Sequence, residues 1–211
     1  SDLREYEGDA LFLACGLTSA HLPFNQREGF WDLYPEATVV QPPNREPAQN
    51  VPAEALRNSR EYRFYAGVPG SGPIDDELAL GTIRGYYAAS SYLDSQIGRL
   101  IEGLRRTYDE DGDRYYDTTV LAMWGDHGFH LQEQSLWGKI SNFWVSNQIP
   151  LLLRSPDLPT GQRVSRLVEA VDIYPTLVEL AGLSYPETEH LEGTSMVPLM
   201  GDPDQPWKAA A

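Results

Sequence analysis

The chain has 211 residues, with 31 Asp and Glu against 16 Lys and Arg, for a formal net charge of −15. A hydrophobic fraction of 41 %, with five Trp, twelve Tyr and six Phe, is enough for a real core and excludes wholesale disorder. The acidic balance excludes nucleic acid as the default partner and an electrostatic membrane anchor. No run of 18 apolar residues is present to span a bilayer. Ser1-Asp2-Leu3-Arg4-Glu5 does not read as a signal peptide and no Met precedes it, as expected for a mature protein, a fragment or a trimmed chain. Cys15 is the single cysteine, so no internal disulfide can form. Only two of the basic residues are Lys, Lys139 and Lys208.

Residues 10–16, Ala-Leu-Phe-Leu-Ala-Cys-Gly, predict a strand buried on both faces, with Cys15 as a small hydrophobe within it. A loop with His21 follows, then a short helix over 26–34 with Phe30, Trp31 and Tyr34 as apolar contacts. Seven Pro and three Gly make 35–76 a long irregular excursion. Tyr62, Phe64 and Tyr65 mark it as packed rather than as a linker. Leu80, Ile83, Tyr87, Ser90, Leu93, Ile97, Leu100 and Leu104 recur at three and four, which predicts a helix over 77–106. Asp75, Asp76 and Glu77 suit its N-terminal end, and Arg105 and Arg106 its C-terminal end. Residues 118–124, 150–154 and 167–171 read as strands, and 172–182 as a helix with Pro in its first turn and Gly at its end. Strands alternating with helices predict an α/β fold with a mainly parallel sheet covered on both faces. Ligands of such sheets bind beyond the strands' carboxyl ends, which directs attention to loops 17–24 and 125–139.

The second loop concentrates Asp126, His127, His130, Glu133 and Lys139. Asp126 and His127, flanked by Gly125 and Gly128, offer two donors to a divalent cation, or else form a turn closed by an Asx hydrogen bond. Two ligands cannot by themselves hold an ion that wants six or more. No His-Glu-x-x-His or Gly-x-Ser-x-Gly motif is present. Lys139 is either a point charge for an anionic substrate or a solvated surface lysine. His21 is either a proton donor to a leaving group or a loop histidine bonded to backbone.

The run Gly125-Asp126-His127-Gly128-Phe129-His130-Leu131, with Glu133, Leu136-Trp137-Gly138-Lys139 and Ser141-Asn142-Phe143, resembles the metal-and-lysine segment of sulfatases. It is most similar to the iduronate-2-sulfatase and choline-sulfatase-like branch. Phe12-Leu13-Ala14 with His21-Leu22-Pro23-Phe24, the run from Tyr86 to Arg99, Asp172-Ile173-Tyr174-Pro175-Thr176-Leu177, and Gly193-Thr194-Ser195-Met196-Val197-Pro198-Leu199 follow as further landmarks, in order.

The resemblance implies an alkaline-phosphatase-like α/β fold, incomplete at both ends, over a partial domain spanning 1–211. It implies a parent that hydrolyses sulfate esters of small molecules or saccharides, using a calcium ion and a formylglycine made from cysteine. Asp126 and His127 match metal positions. Lys139 matches the sulfate-binding lysine, and His21 the histidine near the bridging oxygen. His130 and Glu133 match positions bordering the substrate. Members are often exported, periplasmic or lysosomal.

The departures are equally specific. Cys15 precedes Gly16-Leu17-Thr18-Ser19, so the formylglycine precursor motif is absent from these residues. The family's N-terminal acidic metal pair is also absent, and Asp75-Asp76 reads as a helix cap. Ser19-Ala20-His21 replaces Lys-Pro-His, Gln134 stands in place of a His, and Trp144 in place of an acidic residue. The expectation is a sulfatase piece that is inactive by itself. The alternatives are a sulfatase-like binding or structural protein without catalysis, and a phosphatase or phosphonate-ester hydrolase on the same fold.

Overall fold

A computed structural model describes residues 10–57, 59–185 and 190–209. The N-terminal pentapeptide and the final Ala210-Ala211 lie outside the described residues. The chain divides into two compact units, Ser1–Tyr108 with Trp124–Pro150, and Asp109–Met123 with Leu151–Ala211. In chain order the elements are α1 (Glu28–Trp31), α2 (Asp76–Arg106), α3 (Tyr115–Thr118), β1 (Leu121–Trp124), β2 (His130–Leu131), β3 (Trp137–Gly138), α4 (Trp144–Asn147), β4 (Leu151–Arg154), α5 (Ile173–Leu180) and α6 (Val197–Gly201). None of the described helices is long and apolar enough to cross a membrane.

The first unit is organised by α2. Its 31 residues begin at an N-cap, Asp75, whose carboxylate accepts the Leu78 N–H at 2.8 Å, and end with Arg105 and Arg106 in the last turn. The buried stripe runs through Ala79, Ile83, Gly85, Ala88 and Ala89. Small residues let other segments approach the helix closely: a Cβ at Gly85 would lie 3.0 Å from the Trp31 ring and 3.1 Å from Phe24. Tyr87 and Leu100, expected on the buried face, are exposed. The predicted helix over 26–34 contracts to the four residues of α1, but its aromatics pack as expected. Phe30 meets Tyr92 edge-on, and the Tyr34 hydroxyl bonds Ser91 Oγ at 2.6 Å.

The excursion over 35–76 is irregular, with 3-10 turns at Glu36–Thr38, Ala53–Leu56 and Tyr62–Phe64. It nevertheless contributes Val39, Tyr62 and Ile74 to the same core as Leu22, Phe24, Ile83, Leu131 and Trp137. Phe64 points to solvent instead. The core therefore forms where α2, the excursion and the β2–β3 hairpin meet.

The expected mainly parallel sheet is not what forms. Among the described residues the strands make two sheets of two strands each, β1 with β4 and β2 with β3. The second pair is antiparallel, with His130 opposite Gly138 and Leu131 opposite Trp137. Residues 10–16 form no strand and are exposed, with Phe12 84 % accessible and Cys15 free and exposed rather than buried. An apolar run becomes a buried strand only when neighbours take its N–H and C=O groups and cover both faces. No described strand pairs with this one. Residues 167–171 are likewise not a strand; they lead into a 3-10 turn at Ala170–Asp172.

In the second unit Arg154 ties β4 to the segment before β1. Its guanidinium donates to the carbonyls of Tyr116 at 2.7 Å and Thr119 at 3.0 Å, and stacks over the Tyr116 ring. The 3-10 turn Ala170–Asp172, which leads into α5, starts from a capping box. The Glu169 and Asp172 side chains each accept the other's backbone N–H. Gly182 ends it at φ +66°, with its N–H on the Glu179 carbonyl.

Candidate active site

The loop after β1 is fixed by its glycines. Gly125 N–H donates to Pro150 O at 3.1 Å and Gly128 N–H to Ser146 O at 2.8 Å. A Cβ on Gly128 would stand 1.9 Å from the Val145 carbonyl oxygen, so only glycine fits there. Between them, Asp126 Oδ1 accepts the N–H of the next residue, His127, at 3.1 Å, whereas an Asx turn closes two residues on. His127 Nδ1 donates to Gly128 O at 2.7 Å, which leaves Nε2 facing Asp126 Oδ2 at 3.4 Å.

Asp126 and His127 thus present one carboxylate and one imidazole toward each other. Among the described residues no group of three or more His, Cys, Asp or Glu could hold a metal ion. Calcium takes six to eight oxygen ligands, so this pair is not by itself a calcium site. A second pair brings an imidazole to an ammonium.

That pair is His21 and Lys139. Residues 118 positions apart meet with Lys139 Nζ 3.1 Å from His21 Nε2. His21 Nδ1 donates to Leu22 O at 2.8 Å, so Nε2 is the nitrogen that faces Lys139. One nitrogen thus serves the loop and the other faces Lys139. No hydrogen bond or ion pair joins His21–Lys139 to Asp126–His127 among the described residues.

A third group completes the cluster, one that no motif in the sequence marks. Glu61 reaches His21 Nε2 with Oε1 at 3.0 Å and Lys139 Nζ with Oε2 at 3.3 Å. Its placement is built from below. Ser59 packs on Gly138, where a Cβ would meet the Ser59 Cβ at 2.8 Å and φ is +114°. Tyr62 stacks on Trp137, with ring centroids 4.9 Å apart, and is 3 % exposed. Residues 59–62 thus lie along 137–139. Beside them a cleft of about 1010 Å³ is lined by Leu22, Phe24, Trp31, Tyr62 and Tyr65, among others.

His130 and Glu133 serve the scaffold. His130 is 1 % exposed, and Nδ1 donates to Glu133 O at 3.2 Å. Nε2 then accepts from the Ser141 hydroxyl at 2.8 Å, and Ser141 meets Ser146. Burial holds the imidazole below its usual range despite the opposing pull of Glu133. Glu133 Oε2 accepts the Leu131 N–H at 2.7 Å. These bonds brace the hairpin that carries Lys139.

The model of the family described as Sulfatase matches residues 19–183, which include His21, Glu61, Asp126, His127 and Lys139. The chain is 31 % identical over 194 residues to the choline-sulfatase of Rhizobium meliloti (strain 1021), covering 89 % of this chain and 35 % of that protein. It is 31 % identical over 206 residues to the iduronate 2-sulfatase of Homo sapiens, covering 83 % of this chain and 36 % of that protein. Among solved structures it is similar to the phosphonate monoester hydrolase of Agrobacterium radiobacter. There the TM-score is 0.70 at 27 % identity, over 86 % of this chain and 36 % of that one. The chain therefore spans about a third of the length of these relatives. With the ordered motifs, the matched span and the paired His21 and Lys139 together, the chain belongs to the sulfatase family.

Proposed function

We propose that this chain carries the sulfate-binding and proton-donating part of a sulfuric ester hydrolase. The observation that carries the reading is the contact between His21 and Lys139 across 118 residues. Lys139 supplies a fixed positive charge for the sulfate oxygens, an electrostatic task that suits a compact ammonium. His21, anchored through Nδ1, presents Nε2 where a protonated imidazole can give its proton to the leaving alkoxide. The alcohol portion of a small-molecule or saccharide ester lies in the aromatic cleft bordered by Leu22 and Tyr62.

A calcium ion and a formylglycine belong to the reading at family level. Asp126 and His127 would supply two calcium donors, and the rest must come from outside them. The nucleophile is not supplied by these 211 residues, since Cys15 lacks the modification motif. The chain by itself therefore binds without turning over.

The test is calorimetric titration of the chain with phenyl sulfate, alongside Lys139→Met and His21→Gln. Both variants should weaken binding, the lysine change by about tenfold or more, as for loss of a charge-assisted contact. Unchanged affinity in Lys139→Met would refute the site. Turnover of 4-nitrophenyl sulfate by the wild-type chain, abolished by a chelator, would refute the inactive part of the reading. The resemblance to a phosphonate monoester hydrolase keeps a second substrate class in view, which the same titration with a phosphonate monoester addresses.

A further inference from the structure

Glu61 stands against the two groups assigned to sulfate binding, at 3.0 Å from His21 Nε2 and 3.3 Å from Lys139 Nζ. A carboxylate there is costly to anion binding, because it neutralises the charge that draws the anion in. It is also not a loose surface contact. The side chain is 30 % exposed and Lys139 23 %, and the segment is pinned on either side by Ser59 on Gly138 and Tyr62 on Trp137.

We infer that Glu61 is a specificity-determining residue that tunes this site to singly charged esters and against doubly charged ones. The inference rests on the sulfate-site reading above. Lys139 contributes one positive charge and Glu61 one negative charge. His21 contributes a second positive charge only when protonated. The cluster therefore carries a net charge of zero or plus one, enough to neutralise at most one negative charge of a ligand. A sulfate monoester is a monoanion, and so is a phosphonate monoester. A phosphate monoester approaches two negative charges at pH 8. Its second charge would lie within a few ångströms of the Glu61 carboxylate, where repulsion in a partly buried setting is strong and salt screens it poorly. One carboxylate thus accounts for a site that takes sulfate or phosphonate monoesters while rejecting phosphate monoesters of the same shape.

The experiment compares phenyl sulfate and phenyl phosphate binding at pH 8 by calorimetry, in the wild-type chain and in Glu61→Gln, Glu61→Asp and Lys139→Met. The wild-type chain should bind phenyl sulfate about tenfold or more tightly than phenyl phosphate. Glu61→Gln should shrink that ratio by about tenfold, mainly by strengthening phosphate, and Glu61→Asp should keep it. A ratio unmoved in Glu61→Gln overturns the inference, as does a ratio that moves equally in Glu61→Asp, which would mark a structural effect. If Lys139→Met leaves both affinities unchanged, or if neither ligand binds the wild-type chain or Glu61→Gln, the sulfate-site reading falls and this inference with it. If Lys139→Met weakens both ligands while Glu61→Gln leaves the ratio alone, the sulfate site stands and only the role of Glu61 is lost.

Discussion

Replacing Asp172 by Asn should cost the second unit about 3 kcal/mol at neutral pH, as for a buried ion pair that loses one charge. Asp172 is fully buried. Its carboxylate accepts the Glu169 N–H at 2.8 Å and the Thr194 N–H at 2.8 Å, and meets Lys208 Nζ at 2.8 Å. An amide of the same shape offers one acceptor oxygen. Its NH₂ group must then face a backbone N–H or the Lys208 ammonium. Lys208 keeps Glu169 at 2.6 Å, which places the expected loss at the lower end for buried pairs.

The pH dependence follows from the two partners. Burial pushes the Asp172 carboxyl up, but the Lys208 ammonium and the Thr194 and Glu169 N–H groups outweigh it and hold the group below its usual range. A lowered carboxylate contributes stability that is present above the unfolded value, near 3.8, and is lost as pH falls through the folded one. Lys208 is disfavoured by desolvation, yet its two carboxylates raise it above 10.5. Its share is therefore present below 10.5 and is lost as pH rises through the folded value. Urea unfolding of wild type and Asp172→Asn should differ fully at pH 7 and by less at pH 3. Hydrogen exchange should rise first at Thr194 and Met196, whose N–H groups are bonded to Asp172 and Thr176. A difference below about 1 kcal/mol at pH 7, or one undiminished at pH 3, would refute the argument.

Gly128→Ala should destabilise by about 2–3 kcal/mol, because the added methyl meets the Val145 carbonyl; circular dichroism melts test this, and a neutral result would show that α4 yields easily. Tyr62→Ala removes a buried ring stacked on Trp137 and should cost about 3–5 kcal/mol in urea unfolding. It should also weaken phenyl sulfate binding, since Lys139 loses its support from that side. In an imidazole NMR titration His130 should take up its proton at lower pH than an unperturbed histidine. Its lowered value means that stability is full above 6.5 and declines as pH falls below it, so a midpoint at or above 6.5 would contradict its burial.

The parts that the sequence made legible are those whose interactions are local. The period in Ile83 and its neighbours gave α2 almost to the residue, and Asp75 capped it as its position suggested. Gly125 and Gly128 set the tight turn around Asp126 and His127. Within these same residues, Cys15 and the run around it were misread, because a buried strand is defined by neighbours and not by its own composition. His130 and Glu133, matched to positions bordering the substrate, are instead bonded into the hairpin, a fact carried by Ser141 and the Leu131 backbone.

Length, composition and the −15 charge bounded the protein, and ordered motifs gave its family, because these are properties of the chain read along itself. They also posed a puzzle: how an acidic chain with two lysines would hold an anion. Tertiary structure decided the answer's form, since both lysines are held by carboxylates, Lys208 by Glu169 and Asp172 and Lys139 by Glu61. The meeting of Glu61, His21 and Lys139 depends on Tyr62 stacking on Trp137 and Ser59 fitting over Gly138. Such long-range packing leaves no periodic trace in sequence. It follows from which apolar surfaces bury one another, and that is settled only when the whole core forms.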